Sequence, residues 1–169
     1  MNYEDIEKIY PEAVIFAENN KNFYEVAKNI AFELNKGNKK YVNIWKNILS
    51  ISTKYIKGTL TQLGHSFDEW KGESDVNKII DPMIIKLLKQ GKIAKNEGAL
   101  VACIDVDPPI IITKSDGSSL YITTDLATVI EREKSNFDEV IYVVDNRQKK
   151  HFEQLFRCIE YFGLSQAEF

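Results

Sequence analysis

The chain has 169 residues, of which 44% are hydrophobic and 28% are charged, and its formal net charge is −3. This composition is typical of a globular protein of one domain with room for a small appendage. Two cysteines, Cys103 and Cys158, are too few for a disulfide framework or a four-thiolate metal site, and no apolar stretch approaches the roughly 20 residues of a membrane span. The acidic N-terminus lacks the basic and apolar regions of a signal peptide. The sequence therefore predicts a cytoplasmic protein with no membrane partner.

The charges divide unevenly along the chain. Residues 1–98 carry 15 Lys and Arg against 13 Asp and Glu, whereas residues 99–169 carry 7 against 12. The first part is therefore mildly basic and the second acidic. At this scale neither part has the strongly basic balance of a nucleic-acid-binding domain.

Three amphipathic helices are predicted in the first domain, residues 1–64. Apolar residues recur at spacings of three and four over about 3–17, 23–34 and 40–63. Asn19-Asn20 and Gly37-Asn38 separate these helices, and Gly64 ends the third. The aromatic residues among them favour core packing, with contact to a ligand or to RNA as the less favoured interpretation. This region is predicted to be a helical subdomain.

The pattern changes in the second predicted domain, residues 65–169. A helix is predicted over about 76–89, and Pro82 either kinks it or begins it with Asp81 as the N-cap. Two short strands are predicted between 93 and 106, followed by a third that leads into a hairpin turn.

From residue 119 onward the predicted order is strand, helix, strand, helix, with bounds of about 119–123, 125–134, 139–144 and 148–162. This order implies neighbouring parallel strands joined by a right-handed crossover. The predicted fold class is α/β: a partial Rossmann-like nucleotide-binding sheet with parallel strand–helix units, preceded by the helical subdomain.

Polar side chains gather where each of the last two predicted strands leads into a helix. Ligands of open α/β sheets bind at the carboxyl ends of parallel strands, so Tyr121, Asp125, Gln148 and His151 are expected to face one pocket. Three of them also have a plainer interpretation: Asp125 as a helix N-cap, and Gln148 and His151 as exposed residues of a first helical turn. His65 is expected in a loop, and two histidines so far apart predict no metal site. No glycine-rich phosphate loop occurs.

Several segments resemble, in order, those of one enzyme family. Phe67–Ser74 reads Phe-Asp-Glu-Trp-Lys-Gly-Glu-Ser, and Glu97-Gly-Ala99 follows it. Lys114–Ala127 and Ile141–Phe152 then form two strand–helix motifs. These segments are similar to the Phe-Asp…Gly-Glu-Ser segment, the Glu-Gly-Ala step and two central motifs of the arginyl-tRNA synthetases, which are class I aminoacyl-tRNA synthetases. The resemblance covers nearly the whole chain.

The resemblance implies an ATP-dependent ligase that forms arginyl-adenylate and transfers arginine to tRNA(Arg), with ATP and Mg²⁺ as co-substrate and tRNA contacts mostly outside this chain. It places Tyr121, Asp125 and Gln148 on substrate arginine and His151 near the adenosine portion of ATP. The residue types suit this role, because a carboxylate receives the planar guanidinium fork in paired, charge-assisted hydrogen bonds.

Two signatures of the family are absent, the His-Ile-Gly-His type and the Lys-Met-Ser-Lys-Ser type. They supply groups that stabilise the reacting phosphates, so no catalytic residue is assigned. The expectation is an internal segment of the catalytic domain of a longer enzyme, inactive alone. The alternative is a standalone, non-catalytic amino-acid-binding or regulatory module. Sheet edges left without neighbours are expected to favour self-association.

Overall fold

A computed structural model describes residues 2–106 and 108–169. The chain divides into two units, Met1–Glu69 and Trp70–Phe169. Within the described ranges, none of the helices combines the length and the apolar character needed to cross a membrane.

The first unit consists of three helices, α1 (Tyr3–Asn19), α2 (Lys21–Asn35) and α3 (Lys39–Gln62). Each helix begins after an asparagine whose side-chain oxygen accepts a backbone N–H of the first turn; these caps are Asn2, Asn20 and Asn38. Asparagine is a favoured N-cap because its side chain satisfies a donor that the helix leaves free. The three predicted helices are confirmed to within two residues at their ends.

The first unit has no buried core in its described part. No residue from 2 to 69 is buried, and Tyr10 keeps 72% of its surface exposed. The helices do touch through aromatic rings: Tyr3 stacks on Tyr55 at 3.6 Å between centroids, and Phe16 meets Phe23 edge-on at 5.0 Å. Aromatic residues of the three helices therefore contact one another, but the prediction that they form a buried core is wrong. Three helices leave part of each apolar stripe uncovered.

The second unit contains three further helices and a small sheet. Its elements, in chain order, are a 3-10 helix (Glu73–Val76), α4 (Asn77–Lys89), β1 (Ile93–Asn96), β2 (Ala99–Ala102), β3 (Ile111–Thr113), α5 (Tyr121–Glu133), a 3-10 helix (Asn146–Gln148) and α6 (Lys149–Phe162). The sheet has the order β1-β2-β3 and both pairs are antiparallel. Glu97 and Gly98 both take positive φ in the tight turn between β1 and β2, which a glycine adopts without strain.

The core of the second unit lies between the sheet and the three helices. Leu87 of α4, Ile112 of β3, Leu126 of α5 and Leu155 of α6 are each at most 1% exposed. Burying a leucine or isoleucine side chain stabilises the fold by about 1.5–3 kcal/mol. Pro82 lies inside α4, which has Val76 at its N-cap position, so the interpretation of Asp81 as the N-cap is wrong.

The predicted strand over 119–123 is wrong. Ser119 forms only an isolated antiparallel bridge with Thr113, and α5 begins at Tyr121. The reason is Thr123, whose hydroxyl donates to the Ile112 carbonyl and accepts the Leu120 N–H at 3.3 Å. These bonds fix the first turn of α5 against β3, so β-branched residues that favour a strand are held in a helix.

The predicted strand over 139–144 is also wrong. Among the described residues its only ladder contact is an isolated parallel bridge between Glu139 and Glu168, beside which the Val140 N–H donates to the Glu168 carbonyl at 2.9 Å. Ile141 is 76% exposed and Val143 is 95% exposed, because no strand flanks them among the described residues. The architecture is mixed α/β, but the predicted sheet of parallel strand–helix units is not confirmed.

Candidate functional site

The site forms where α5 and α6 pack together in the second unit. Because α5 begins at Tyr121, Asp125 lies in its second turn, and the interpretation of Asp125 as the helix N-cap is wrong. Leu126 and Leu155, on the facing sides of these helices, are fully buried. Both leucines belong to one core cluster, and this shared core and the contacts between α5 and α6 bring the adjacent polar residues together.

Asp125 and His151 form the central contact of this site. The His151 Nε2 lies 2.6 Å from the Asp125 Oδ2, and the two side chains are 29% and 31% exposed. The other oxygen, Oδ1, makes no hydrogen bond with the described part of the chain. The His151 ring also meets Phe152 edge-on at 5.1 Å. Residues 26 positions apart thus form one half-buried pair with a free acceptor.

Tyr121 lies on α5 and Gln148 on the 3-10 helix that precedes α6, and within the described ranges neither forms a hydrogen bond with Asp125 or His151. Tyr121 precedes Asp125 by four residues on α5, which places the two on one helix face, and its side chain is 74% exposed. Gln148 ends the 3-10 helix before α6 and is exposed one turn ahead of His151. The exposed first-turn interpretation is therefore confirmed for Gln148, whereas His151 is half-buried.

Tyr142 is a neighbour of the site that the sequence analysis did not single out. Its ring packs against Phe152 at 4.9 Å and Phe156 at 5.7 Å, with the Arg132 guanidinium 5.5 Å from its centroid. Its hydroxyl is buried and has no hydrogen-bond partner among the described residues. Burial raises the pKa of Tyr142; the Arg132 guanidinium opposes this rise and the Asp125 carboxylate adds to it. The aromatic residues at positions 142, 152 and 156 are the sequence feature that could have indicated this cluster.

Asp145 and Arg147 form a second polar contact, at the solvent-exposed start of the 3-10 helix. The Arg147 Nε and backbone N–H both donate to the Asp145 Oδ1 at 2.8 Å. These bonds hold the pKa of Asp145 below its usual value. Asp145 caps a turn, as its residue type predicts.

An open cavity of about 420 Å³ lies beside the beginning of α6. It is lined by Tyr142, Val144, Asp145, Asn146, Lys149, Phe152, Glu153 and Phe156. None of the four predicted site residues lines it, although Phe152 connects its wall to the His151 ring. Among residues 2–106 and 108–169, no group of three His, Cys, Asp or Glu side chains is placed to hold a metal ion.

Comparison with known proteins gives a consistent result. Residues 1–168 match the family described as tRNA synthetases class I (R), catalytic domain. The chain is 42% identical over 162 residues to an arginine–tRNA ligase of Alkaliphilus oremlandii and 41% identical over 160 residues to one of Francisella tularensis subsp. novicida. These alignments cover 92% and 93% of the chain, which spans about 28% of the length of each relative.

Two solved structures share the fold. The crystal structure of arginyl-tRNA synthetase from Plasmodium falciparum matches with a TM-score of 0.74 and 24% identity, over 88% of this chain and 27% of that one. A putative arginyl-tRNA synthetase from Campylobacter jejuni matches with a TM-score of 0.61 and 16% identity, over 73% of this chain and 28% of that one. Identities this low support a likeness of fold.

Proposed function

Because the chain belongs to the family of class I arginyl-tRNA synthetase catalytic domains, we propose that it recognises the guanidinium group of substrate arginine. Within a complete ligase, this recognition serves ATP-dependent arginyl-adenylate formation and transfer to tRNA(Arg). The observation that carries the proposal is the half-buried Asp125 carboxylate, which keeps a free oxygen at the junction of α5 and α6.

The chemistry of the proposed site follows from the shape of the guanidinium. This planar group presents paired N–H donors and keeps its charge at every physiological pH, so a carboxylate is its best-matched acceptor. Asp125 Oδ1 offers the first acceptor. Tyr121, on the same face of α5, supplies a flat ring or a hydroxyl, and Gln148 supplies an amide for the polar end of the amino acid.

His151 takes a positioning role in this proposal. Its contact with Asp125 Oδ2 restricts the rotation of the carboxylate and leaves Oδ1 without a hydrogen bond to the described residues. A fixed carboxylate loses less conformational freedom on binding than a mobile one, and such preorganisation raises affinity. The nucleotide-binding role of His151 stays a prediction; within residues 2–106 and 108–169 its Nδ1 makes no hydrogen bond, so a second contact can form there.

The adenylation step is not assigned to residues of this chain. Both phosphate-binding signatures are missing from the sequence, and the described residues hold no cluster of ligands suited to Mg²⁺. When bound in the complete enzyme, ATP and Mg²⁺ supply the adenylate group and neutralise its phosphates. We therefore propose that the 169-residue chain binds arginine without turning over ATP.

Calorimetric titration of the folded chain tests the proposal. L-arginine is expected to bind, and L-citrulline, which keeps the shape but lacks the charge, is expected to bind far more weakly. Asp125→Ala and Asp125→Asn should each cost about 2–5 kcal/mol of arginine binding, which is more than a tenfold loss of affinity.

The matched control is Asp138→Asn, which removes an exposed carboxylate of the same unit outside the α5–α6 junction. It should leave arginine binding unchanged. Equal affinity for arginine and citrulline, or full arginine binding by Asp125→Asn, would show that Asp125 does not receive the guanidinium. Absence of binding to a chain that circular dichroism shows to be folded would contradict recognition by this chain alone.

A further inference from the structure

The charge pattern of α3 is unlike that of the rest of the chain. Between Leu34 and Phe67 the sequence contains six lysines and no Asp or Glu. Five of these lysines lie on α3, at positions 39, 40, 46, 54 and 57. In contrast, α1 and α2 together carry seven carboxylates and three lysines, so the overall lysine content of the protein does not account for the absence of acids on α3.

The five lysines share one side of the helix. At 3.6 residues per turn they fall within about 120° of its circumference. Besides Gly58, the other positions on this side hold uncharged hydrogen-bonding residues, namely Asn43, Asn47, Ser50 and Thr61, all of them exposed. Tyr41, Trp45, Ile48 and Ser52, on the opposite side, are all less exposed. We call the side formed by Lys39, Lys40, Lys46 and Lys54 the lysine face.

The charges of the lysine face are not neutralised within the described part of the chain. Lys39, Lys46 and Lys54 are exposed and form no ion pair with any residue in 2–106 or 108–169. Lys40 lies over the neighbouring Tyr41 ring at 5.6 Å, which leaves its charge in place. An ordinary solvated helix face mixes acidic and basic residues in i, i+4 pairs, and this face does not.

We infer that the lysine face binds the phosphate backbone of RNA. From Lys39 to Lys54 this face extends about 23 Å along α3, enough to follow several consecutive phosphates. Lysines supply the charge, and asparagine and serine side chains are among the groups that hydrogen-bond phosphate and sugar oxygens. The choice of tRNA as the RNA rests on the proposed function.

A membrane surface fits the same charges less well. A basic amphipathic helix binds lipid by inserting its apolar side, which must therefore be free. The apolar side of α3 packs in part against the other helices of its unit, as the stacking of Tyr3 on Tyr55 shows, while Ile44 and Leu49 stay 46% and 44% exposed. Only part of this apolar side is thus available for insertion, which makes a membrane the less favoured partner.

The test is a salt titration of tRNA binding to the 169-residue chain, followed by fluorescence anisotropy of labelled tRNA(Arg) transcript. Each phosphate contact adds about 0.7 to the slope of log K against log salt for a single strand and about 0.9 for a duplex. The triple variant Lys39→Gln, Lys46→Gln, Lys54→Gln is expected to lose more than tenfold in affinity and about 2 in slope. The control triple, Lys8→Gln, Lys21→Gln, Lys28→Gln on α1 and α2, should change neither markedly.

Three results would overturn the inference. They are an equal loss in both triple variants, no loss in the α3 triple, and lysine-dependent binding to vesicles containing phosphatidylserine in place of RNA. Arginine titration of the α3 triple separates this inference from the proposed function. If the α3 triple binds arginine normally but no longer binds tRNA, the result supports the lysine face. If the wild-type chain does not bind arginine, the result contradicts only the proposal for Asp125.

Discussion

Thr123 connects α5 to the sheet through one buried hydroxyl. The side chain is fully buried, donates to the Ile112 carbonyl and accepts the Leu120 N–H. Thr123→Val keeps the shape but leaves both backbone groups buried without a partner, at a cost of about 1–3 kcal/mol each. Urea unfolding should show this loss of stability.

Thr123→Ser is the matched control for that change. It keeps the hydroxyl and removes one methyl group, so it is expected to destabilise the protein by only about 1 kcal/mol. If valine were as stable as the wild type, the hydroxyl would not hold the start of α5.

Cys158 and Cys103 are expected to differ in reactivity. Cys158 is fully buried and burial raises its pKa to about 12, whereas Cys103 is exposed. The thiolate is the reactive form, so a disulfide reagent at pH 8 should modify one thiol per folded chain and two after denaturation. Because an exposed thiol ionises near pH 9, the free energy of unfolding should fall as the pH rises from 9 towards 12. Two rapid equivalents in the folded chain would contradict this.

The sequence indicated the residues of the candidate site better than the way in which they are brought together. Asp125 and His151 were expected in one pocket because two strands would carry them to the same sheet edge. The structure joins them instead through the packing of α5 on α6, whose residues Leu126 and Leu155 are buried in one core. The sequence does not distinguish Tyr142 as a site residue, because its apolar neighbours resemble a buried strand.

The helices could be predicted from the sequence pattern more reliably than the strands. A 3.6-residue pattern repeats over several turns of α3 or α6 and identifies each of them without tertiary information. The runs at 119–123 and 139–144 are short and β-branched, and a short apolar run does not distinguish a strand from a helical turn. The first run is held in a helix by the hydrogen bonds of Thr123. The second forms no strand because no strand flanks it among the described residues.

The positive charge of α3 is likewise not apparent from an average over a longer part of the chain. Averaged over residues 1–98, lysines and carboxylates nearly cancel. The imbalance is visible only when α3 is considered alone, because α1 and α2 carry most of the acids of the first unit.

The extended segment 140–144 is expected to promote self-association. Ile141 and Val143 are largely exposed on a backbone with few ladder hydrogen bonds, and such an edge is a template for another strand. Val143→Lys should reduce association, measured by light scattering after size exclusion, without a loss of stability, because the wild-type side chain is 95% exposed. Val14→Lys, on α1, is the control, because Val14 is exposed and lies outside this segment. Val129→Lys is unsuitable as a control because Val129 is buried. A monodisperse wild-type monomer at high concentration would contradict the expectation.

At the scale of the whole molecule, the two units differ in how their amides are protected. The second unit has a contiguous core, and the described part of the first has no buried side chain. Local opening costs little where few apolar contacts must break. Hydrogen exchange followed by mass spectrometry should therefore show α1–α3 exchanging well before α5 and α6. Equal protection in both units would indicate that they open as one.

The open packing of α1–α3 also has a calorimetric consequence. The heat-capacity change of unfolding depends on the apolar surface that becomes newly hydrated, and in the first unit much of this surface is already hydrated. Melting of α1–α3 should therefore contribute a small heat-capacity step and a broad, shallow endotherm, while the second unit melts sharply. The stability of the first unit should accordingly change less steeply with temperature than that of the second. The first unit should also be stabilised most by any surface that covers its exposed apolar residues.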